Sequence, residues 1–440
     1  MELLDEARKK VESAEVFQKT GNSMPVSFNA GELESVKHVE TTGVALRVID
    51  GGKLGFSTTT NLDGYSDVVE KAVETAKFGE SAEFVFPEAT KTNKVETFDS
   101  DVAGLTAKEL IEYGEEVIAK LEEFDPDLEV NVDLTKSVGK RRIANSNGLD
   151  VEEEKTGLSL SLEVKKVGED DIFTFHESRS AQKLDQFDLD KPAEKAIQKV
   201  KWAQRESGIE SGTYPVILTP RGTLVLLVSL ISGLNGQNVY QGTSPLKEDL
   251  GEEVFSENLT VEDYGGVEDS PSRRSFDDEG TPALRTKLIS NGKLKSFLYD
   301  LKTAGQSGKK PTGNGVKGGL LGSSDFRSPP SISPTTLVIS PGEKKIGKLI
   351  SNIDKGLMVD QVLGLGQGNP LSGEFSNNVS VAYKIENGTI TGKVKDTMIA
   401  GNVYELLGRK IELGKELEWV GSVLKAPAIA LEDVNVVRKS

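Results

Sequence analysis

Residues 215–260 read PVILTPRGTLVLLVSLISGLNGQNVYQGTSPLKEDLGEEVFSENLT, and this stretch determines how the second half of the chain folds. Thr219 and Pro220 suit the cap and the first position of a helix, so we predict a helix over 221–234. That helix contains neither histidine nor an acidic residue. A zinc protease needs two imidazoles from one helix, a third ligand and a carboxylate that activates water. We therefore expect a buried helix that cannot hold a catalytic metal.

Composition excludes several classes of function. A chain of 440 residues favours two domains, which we place at 1–210 and 211–440 because 206–212 (ESGIESG) reads as a boundary. The net charge of −17 argues against nucleic-acid binding, which needs clustered Lys and Arg. The absence of cysteine excludes disulfides and thiolate metal sites. With no signal-like start and no apolar run near the roughly 20 residues of a spanning helix, we expect a soluble, cytoplasmic protein without membrane contact.

The periodicity of the chain predicts an α+β fold. Residues 43–59 (GVALRVIDGGKLGFSTT) indicate a hairpin, and 65–78, 107–123 and 192–205 have the apolar spacing of amphipathic helices. Alternation over 128–174 predicts strands. We expect an N-terminal mixed α/β domain with helices on a curved sheet. For the C-terminal domain we expect mostly antiparallel strands, as a large sheet or barrel, with one buried helix.

Several short motifs suggest chemistry, but each has a simpler interpretation. Asp277, Asp278 and Glu279 are three consecutive acids that could hold a hard cation through oxygen. Because Gly280 follows directly, we prefer a solvated turn. The glycine-rich segments 313–318 and 342–349 resemble nucleotide loops but lack the flanking elements or the hydroxyl residue that such sites need. The only two histidines, His38 and His176, are interpreted as structural.

Five motifs in order along the second half resemble the TldD/PmbA family of metallopeptidase-related proteins. They are 242–252 (within the stretch 215–260 quoted above), 275–300 (the DDEG segment and the strands after it), 304–314, LSGEFS (371–376) and DTMIAGN (396–402). In the catalytic branch the helix carries His-Glu-x-x-x-His. Here Leu227, Val228 and Ser232 occupy those positions, and 419–425 lacks the family's cysteine ligand. The chain therefore resembles the TldE/PmbA branch without the zinc motif.

The resemblance implies a non-catalytic subunit that joins a zinc-bearing TldD-like partner around unfolded peptides or small proteins. The partner would hold the zinc, and no cofactor is expected in this chain. The family's older name links it to DNA gyrase modulation. Glycine-rich segments 305–322 and 363–373 would form mobile walls of the peptide chamber. The possible groove or signature positions are Asp277, Glu279, Gly313, Asn314, Gly373 and Phe375.

Two alternatives belong to other classes of protein. One is a stand-alone homodimer that binds peptides without cutting them. The other is a peptidase whose metal is held only by oxygen ligands, with Asp277, Asp278 and Glu279 as candidates. A hard-cation site of that kind would not hold zinc tightly, so metal analysis distinguishes it from a zinc enzyme.

Overall fold

The computed structural model describes residues 1–62, 64–89, 94–168, 171–318, 326–366 and 369–439. The first half is built on one antiparallel sheet with the order β4-β3-β1-β5-β6-β7, in which β2 pairs with the far end of β1. Its strands are β1 Ser13–Asn29, β2 Glu32–Val36, β3 Val39–Asp50, β4 Lys53–Thr59, β5 Leu128–Asn145, β6 Asp150–Val167 and β7 Ile172–Ala181. The predicted hairpin over 43–59 is confirmed as β3–β4, with Gly51 and Gly52 at positive φ in its turn.

Helices cover this sheet, as the sequence predicts. They are α1 Glu2–Ala7, α2 Ser66–Ala76, α3 Ser100–Gly104, α4 Ala107–Phe124 and α5 Asp190–Ala203. The helix α4 begins with a capping box in which Thr106 and Glu109 satisfy each other's backbone amides. Its buried residues Leu110, Val117 and Leu121 recur at helical spacing and pack against the sheet.

The second half contains two larger sheets and five helices within the described ranges. The helices are α6 Leu224–Leu234, α7 Gly236–Tyr240, α8 Leu301–Ser307, α9 Ile346–Ser351 and α10 Val403–Gly408. The strands are β8 Gly212–Leu218, β9 Val261–Tyr264, β10 Arg285–Ser290, β11 Lys293–Leu294, β12 Gly315–Val316, β13 Ser331–Ile332, β14 Leu337–Ile339, β15 Lys355–Val362, β16 Glu374–Glu386, β17 Thr389–Lys393, β18 Thr397–Asn402, β19 Ile411–Leu413, β20 Glu418–Val420, β21 Leu424–Ala426 and β22 Ile429–Arg438.

One of these sheets closes into a barrel. Its strands follow the order β15-β8-β22-β18-β16, and β16 pairs back with β15. Only the contact between β8 and β15 is parallel, so the prediction of a mostly antiparallel barrel-like domain is confirmed. The apolar helix α6 packs in the core of this half, also as predicted. The other sheet has the order β11-β10-β9-β14-β21-β20.

The hydrophobic core crosses from one half of the chain to the other. A single cluster joins Leu134 and Phe175 of the N-terminal sheet to Met358 and Tyr383 of the barrel strands. The proposed division at 206–212 stays a prediction, but the two sides share buried apolar surface. Along the described ranges, no helix is both long enough and apolar enough to cross a membrane.

Candidate functional site

The helix α6 contains the three positions at which the family resemblance expects metal ligands. The side chain of Leu227 is 2% exposed and belongs to the apolar core. Val228 is partly buried and faces the loop at Gly366. The hydroxyl of Ser232 donates to the Val228 carbonyl at 2.9 Å. These side chains offer no nitrogen, sulfur or carboxylate donor, so they do not fit a zinc ion.

The C-terminal end of α6 is fixed by side chains from elsewhere in the second half. The hydroxyl of Tyr404 donates to the Ser229 carbonyl at 2.8 Å, and the amide of Asn238 donates to the Ser232 carbonyl at 2.8 Å. A third donor, the Ser244 hydroxyl, reaches the Gly233 carbonyl at 2.6 Å. The carbonyls of Ser232 and Gly233 lie in the last turn and lack regular intrahelical partners, so the bonds from Asn238 and Ser244 satisfy them, while Tyr404 adds a contact one turn earlier.

The described parts of the loop over 363–373 pack beside α6, and this loop and the start of β16 contain the predicted signature positions Gly373 and Phe375. Gly373 has a φ of +78°, and a Cβ there would lie 2.4 Å from the Tyr404 ring. Phe375 is 8% exposed and packs in the core. The side-chain amide of Asn377 donates to the carbonyls of Leu363 and Gly364 at 2.8 and 3.0 Å. Residues 367–368 of this expected wall lie outside the described residues.

The acidic cluster (Asp277, Asp278 and Glu279) is almost completely buried, with at most 1% of each residue exposed. The prediction of a solvated turn is therefore wrong. Glu279 pairs with Arg47 of β3 at 2.7 Å, and Asp278 pairs with Arg141 of β5. The sequence pattern could not show this, because both arginines come from the other half of the chain. One local signal exists: Arg47 is a lone charge inside the apolar strand VALRVI.

Backbone amides donate further hydrogen bonds to the carboxylates of the acidic cluster. Asp277 accepts from the Gly315 amide at 2.9 Å, Asp278 from the Lys317 amide at 2.8 Å, and Glu279 from the Leu301 amide at 2.7 Å. The cluster thus joins the N-terminal sheet to two segments of the C-terminal half.

Burial controls the protonation of the acidic cluster. It raises the pKa of Glu279 to about 7 despite the opposing charge of Arg47, and with Glu279 nearby it raises the pKa of Asp277 well above its usual value. Burial acts in the same direction on Asp278, but the charges of Arg141 and Arg274 outweigh it and leave that pKa lowered. Across the described ranges, no three His, Asp or Glu side chains converge as a metal site requires.

The predicted positions Gly313 and Asn314 lie next to this cluster and are also buried. Asn314 donates to the Asp263 carboxylate at 2.8 Å and to the Ser333 carbonyl at 3.0 Å. Gly313 has a φ of +79°, and a Cβ on Gly315 would lie 2.2 Å from the Glu279 carboxylate. Residues 313–317 of the expected mobile wall are therefore buried beside the acidic cluster, whereas 308–310 are exposed and 319–322 lie outside the described residues.

An open cleft lies at the N-terminal side of α6, and the sequence did not reveal it. This tryptophan cleft, with a volume of about 220 Å³, is lined by both tryptophans of the chain, Trp202 and Trp419, and by the segment 219–221. Lys199 forms its charged wall, paired with Glu177 and Asp360. Trp202 and Trp419 are far apart in the sequence, so only their rarity could have drawn attention to them.

The strand β20 lines the tryptophan cleft and is the terminal strand of its sheet. The indole of Trp419 is oriented by a hydrogen bond to Asp269 at 3.1 Å. The edge of the N-terminal sheet at β7 is different, because the side chain of Gln361 already occupies it. The Gln361 amide oxygen accepts from the His176 N–H, and its nitrogen donates to the His176 carbonyl. An extended peptide could therefore add to β20 more easily than to β7 at that point.

Family comparisons agree with this architecture. Models of the PmbA/TldA metallopeptidase domain 1, central domain and C-terminal domain match residues 14–77, 100–204 and 211–438. The chain therefore belongs to the PmbA/TldD metallopeptidase family, and the resemblance found in its sequence is confirmed.

Individual relatives place the chain among TldD/TldE-type proteins. The crystal structure of TldE from Thermococcus kodakarensis aligns over 99% of both chains with a TM-score of 0.90 and 26% identity. An uncharacterized protein of Methanocaldococcus jannaschii is 29% identical over 92% of each chain. A metalloprotease TldD homolog of Buchnera aphidicola is 34% identical over 47% of this chain and 42% of its own length.

Proposed function

We propose that this chain is the non-catalytic, TldE-like subunit of a TldD–TldE-type zinc metalloprotease complex. The observation that carries the proposal is α6, where Leu227, Val228 and Ser232 replace two imidazoles and a carboxylate. Without those donors the chain has no means there to hold zinc or to activate water. Zinc would belong to a TldD-like partner, and this chain would take part in binding the substrate.

The substrate class we propose is an unfolded peptide or small protein. The tryptophan cleft supports this, since aromatic side chains beside a few polar groups are typical of binding sites. A peptide lying along β20 would use main-chain hydrogen bonds that do not depend on its sequence, while its side chains contact Trp202 and Trp419. This arrangement suits substrates that share a lack of structure rather than a motif.

Reconstitution with a TldD-like protein from the same genome tests the subunit role. The tagged chain, the partner and their mixture would each be analysed for co-elution, for zinc and for cleavage of unfolded casein. We expect a stable complex, with zinc held by the partner and cleavage by the complex. Stoichiometric zinc and cleavage by this chain alone would refute the proposal. Peptide binding by a homodimer that ignores the partner would favour the stand-alone binding module.

The same complex tests the peptide cleft. Trp419→Ala should weaken binding of unfolded peptide about tenfold or more, because a large aromatic contact surface is lost. Phe78→Ala is the matched control, since Phe78 is 90% exposed and lies outside the cleft lining. Equal peptide affinity of both variants would place the peptide elsewhere while leaving the subunit role intact.

A further inference from the structure

A second cleft, of about 510 Å³, lies where β1, β5 and β6 meet the loop that leads to the acidic cluster. Its lining is strongly basic, although the whole chain has a net charge of −17. Among the described residues that line it, Glu153 is the only carboxylate. The basic residues of this basic cleft are Lys19, Lys140, Arg141, Lys155 and Arg274.

Two of these cations, Lys155 and Arg274, share a single weak acceptor. The Lys155 ammonium and the Arg274 Nε both donate to the Ser272 carbonyl, each at 3.4 Å. Arg274 is 9% exposed, and its Nη1 is buried without a hydrogen-bond partner in the described chain. The nearby acids Glu153 and Asp278 attract both cations but make their direct contacts elsewhere: both pair with Arg141, and Glu153 also accepts from the Ser275 amide at 2.6 Å.

Burial penalises the charges of Lys155 and Arg274 more than the nearby acids compensate. Burial and the neighbouring charge of Arg274 lower the pKa of Lys155 to about 7, and burial also lowers the pKa of Arg274. Lys155 is half-buried and Arg274 is buried, and a buried guanidinium with an unused N–H is costly. An anion placed between Lys155 and Arg274 would satisfy both groups.

The shape of the basic cleft indicates a ligand larger than a single ion. Gly21, Gly139 and Gly157 line it from three neighbouring strands, and Gly21 pairs directly with Gly139. A Cβ on Gly21 would lie 2.8 Å from the Val138 carbonyl. Backbone therefore forms part of the lining. The volume is in the range of small-molecule pockets, about 300–1,000 Å³.

We propose that the basic cleft binds a carboxylate-bearing ligand, with Arg274 and Lys155 holding the carboxylate. The flat guanidinium fork matches two carboxylate oxygens, and the ammonium adds a second charged donor. The carboxylate could belong to a peptide C-terminus or to a small organic acid. The inference is independent of the subunit role, because it rests only on residues of this chain.

Calorimetric titration of the full chain tests the site with defined probes. The probes are N-acetylated triglycine with a free C-terminal carboxylate, the same peptide with an amidated C-terminus, succinate, and inorganic phosphate. We expect carboxylate probes to bind and the amidated peptide to bind about tenfold more weakly or not at all, since it loses charged hydrogen bonds. Preference for the free peptide over succinate identifies a peptide terminus, and the reverse preference identifies a small organic acid.

Variants link the binding to the named residues. Lys155→Met and Arg274→Gln should each weaken carboxylate binding about tenfold or more. Arg142→Gln is the matched control, because Arg142 lies on β5 outside the cleft lining, is paired with Asp150, and should bind like the unmodified chain. Binding of phosphate alone, no binding of any probe, or equal affinity in Lys155→Met would overturn the proposal. If Arg274→Gln does not fold, the carboxylate affinity of Lys155→Met still tests the proposal.

Discussion

Arg141 and Arg142 are neighbours on β5, and each pairs with an acid of β6, but their surroundings differ. The Arg141 side chain is 10% exposed and contacts Glu153 at 2.8 Å, whereas Arg142 is 38% exposed and contacts Asp150 at 2.6 Å. Arg141→Met should lower the free energy of unfolding by about 3–5 kcal/mol, because Glu153 and Asp278 would remain buried without their partner. Arg142→Met should cost about 1 kcal/mol or less.

Urea unfolding of both variants measures this difference. The pair is a controlled comparison, since residue type, strand and substitution are the same. Equal losses would mean that burial does not determine the strength of these ion pairs. A loss at Arg141 below about 1 kcal/mol would show that the buried acids adapt when their partner is removed.

Lys155 lowers stability in the absence of a ligand, and its effect depends on pH. Its folded pKa, about 7, is below the unfolded value of 10.5, because of burial and the charge of Arg274, with Arg141 adding to it and Glu153 and Asp278 opposing it. The unfolded chain therefore binds more protons between these values, and stability rises with pH across that window. Below about pH 7 the folded state bears the full cost of the charge.

Lys155→Met should therefore stabilise the ligand-free protein by about 1–2 kcal/mol below pH 7. The gain should shrink as pH rises and disappear near 10.5. Urea unfolding of both proteins at pH values below, within and above this window gives the comparison. Destabilisation at low pH, or a gain that does not change with pH, would contradict this account of Lys155.

At the scale of elements, α6 provides a direct test of whether the missing ligands alone separate this chain from a zinc enzyme. The triple substitution Leu227→His, Val228→Glu and Ser232→His restores the family motif. We expect no stoichiometric zinc, because 419–425 lacks the cysteine ligand. We also expect the free energy of unfolding to fall by about 2–5 kcal/mol, because position 227 is surrounded by apolar side chains.

Zinc analysis and thermal unfolding measure the two outcomes. Ser232→Ala serves as the control, since it removes only the hydroxyl bond to the Val228 carbonyl. Tight zinc binding by a stable triple variant would show that other donors near α6 complete a site.

The sequence predicted elements that local patterns define and missed what distant residues create. The β3–β4 hairpin and the helices α2, α4 and α5 follow from spacing and turn residues within a single segment. The solvated-turn prediction for the acidic cluster was wrong because Arg47 and Arg141 reach it from the N-terminal sheet. The tryptophan cleft was missed for the same reason, since α5 and β20 meet only through the fold.

For the whole molecule, the shared core predicts that the two halves depend on each other. Fragment 1–210 would lose Met358, Tyr383 and the other barrel residues of the shared core, and Trp202 would lose its ring contact with Tyr383. It would also leave Arg47 without Glu279. We expect this fragment to lack a cooperative thermal transition, while the full chain unfolds in one. Mixing it with fragment 211–440 should restore the transition, and a sharp transition of fragment 1–210 alone would contradict the prediction.

The acidic cluster also has a consequence for the order of events during synthesis. Arg47 and Glu279 are separated by 232 residues, so the arginine leaves the ribosome long before its partner exists. At about 5–20 residues per second, the delay is roughly 10–50 s. Until the acids of the cluster are made, Arg47 has Glu15 but not Glu279 as a partner, and Arg141 has Glu153 but not Asp278. The N-terminal sheet can therefore complete its contacts with the second half only after residues 277–280 have been translated.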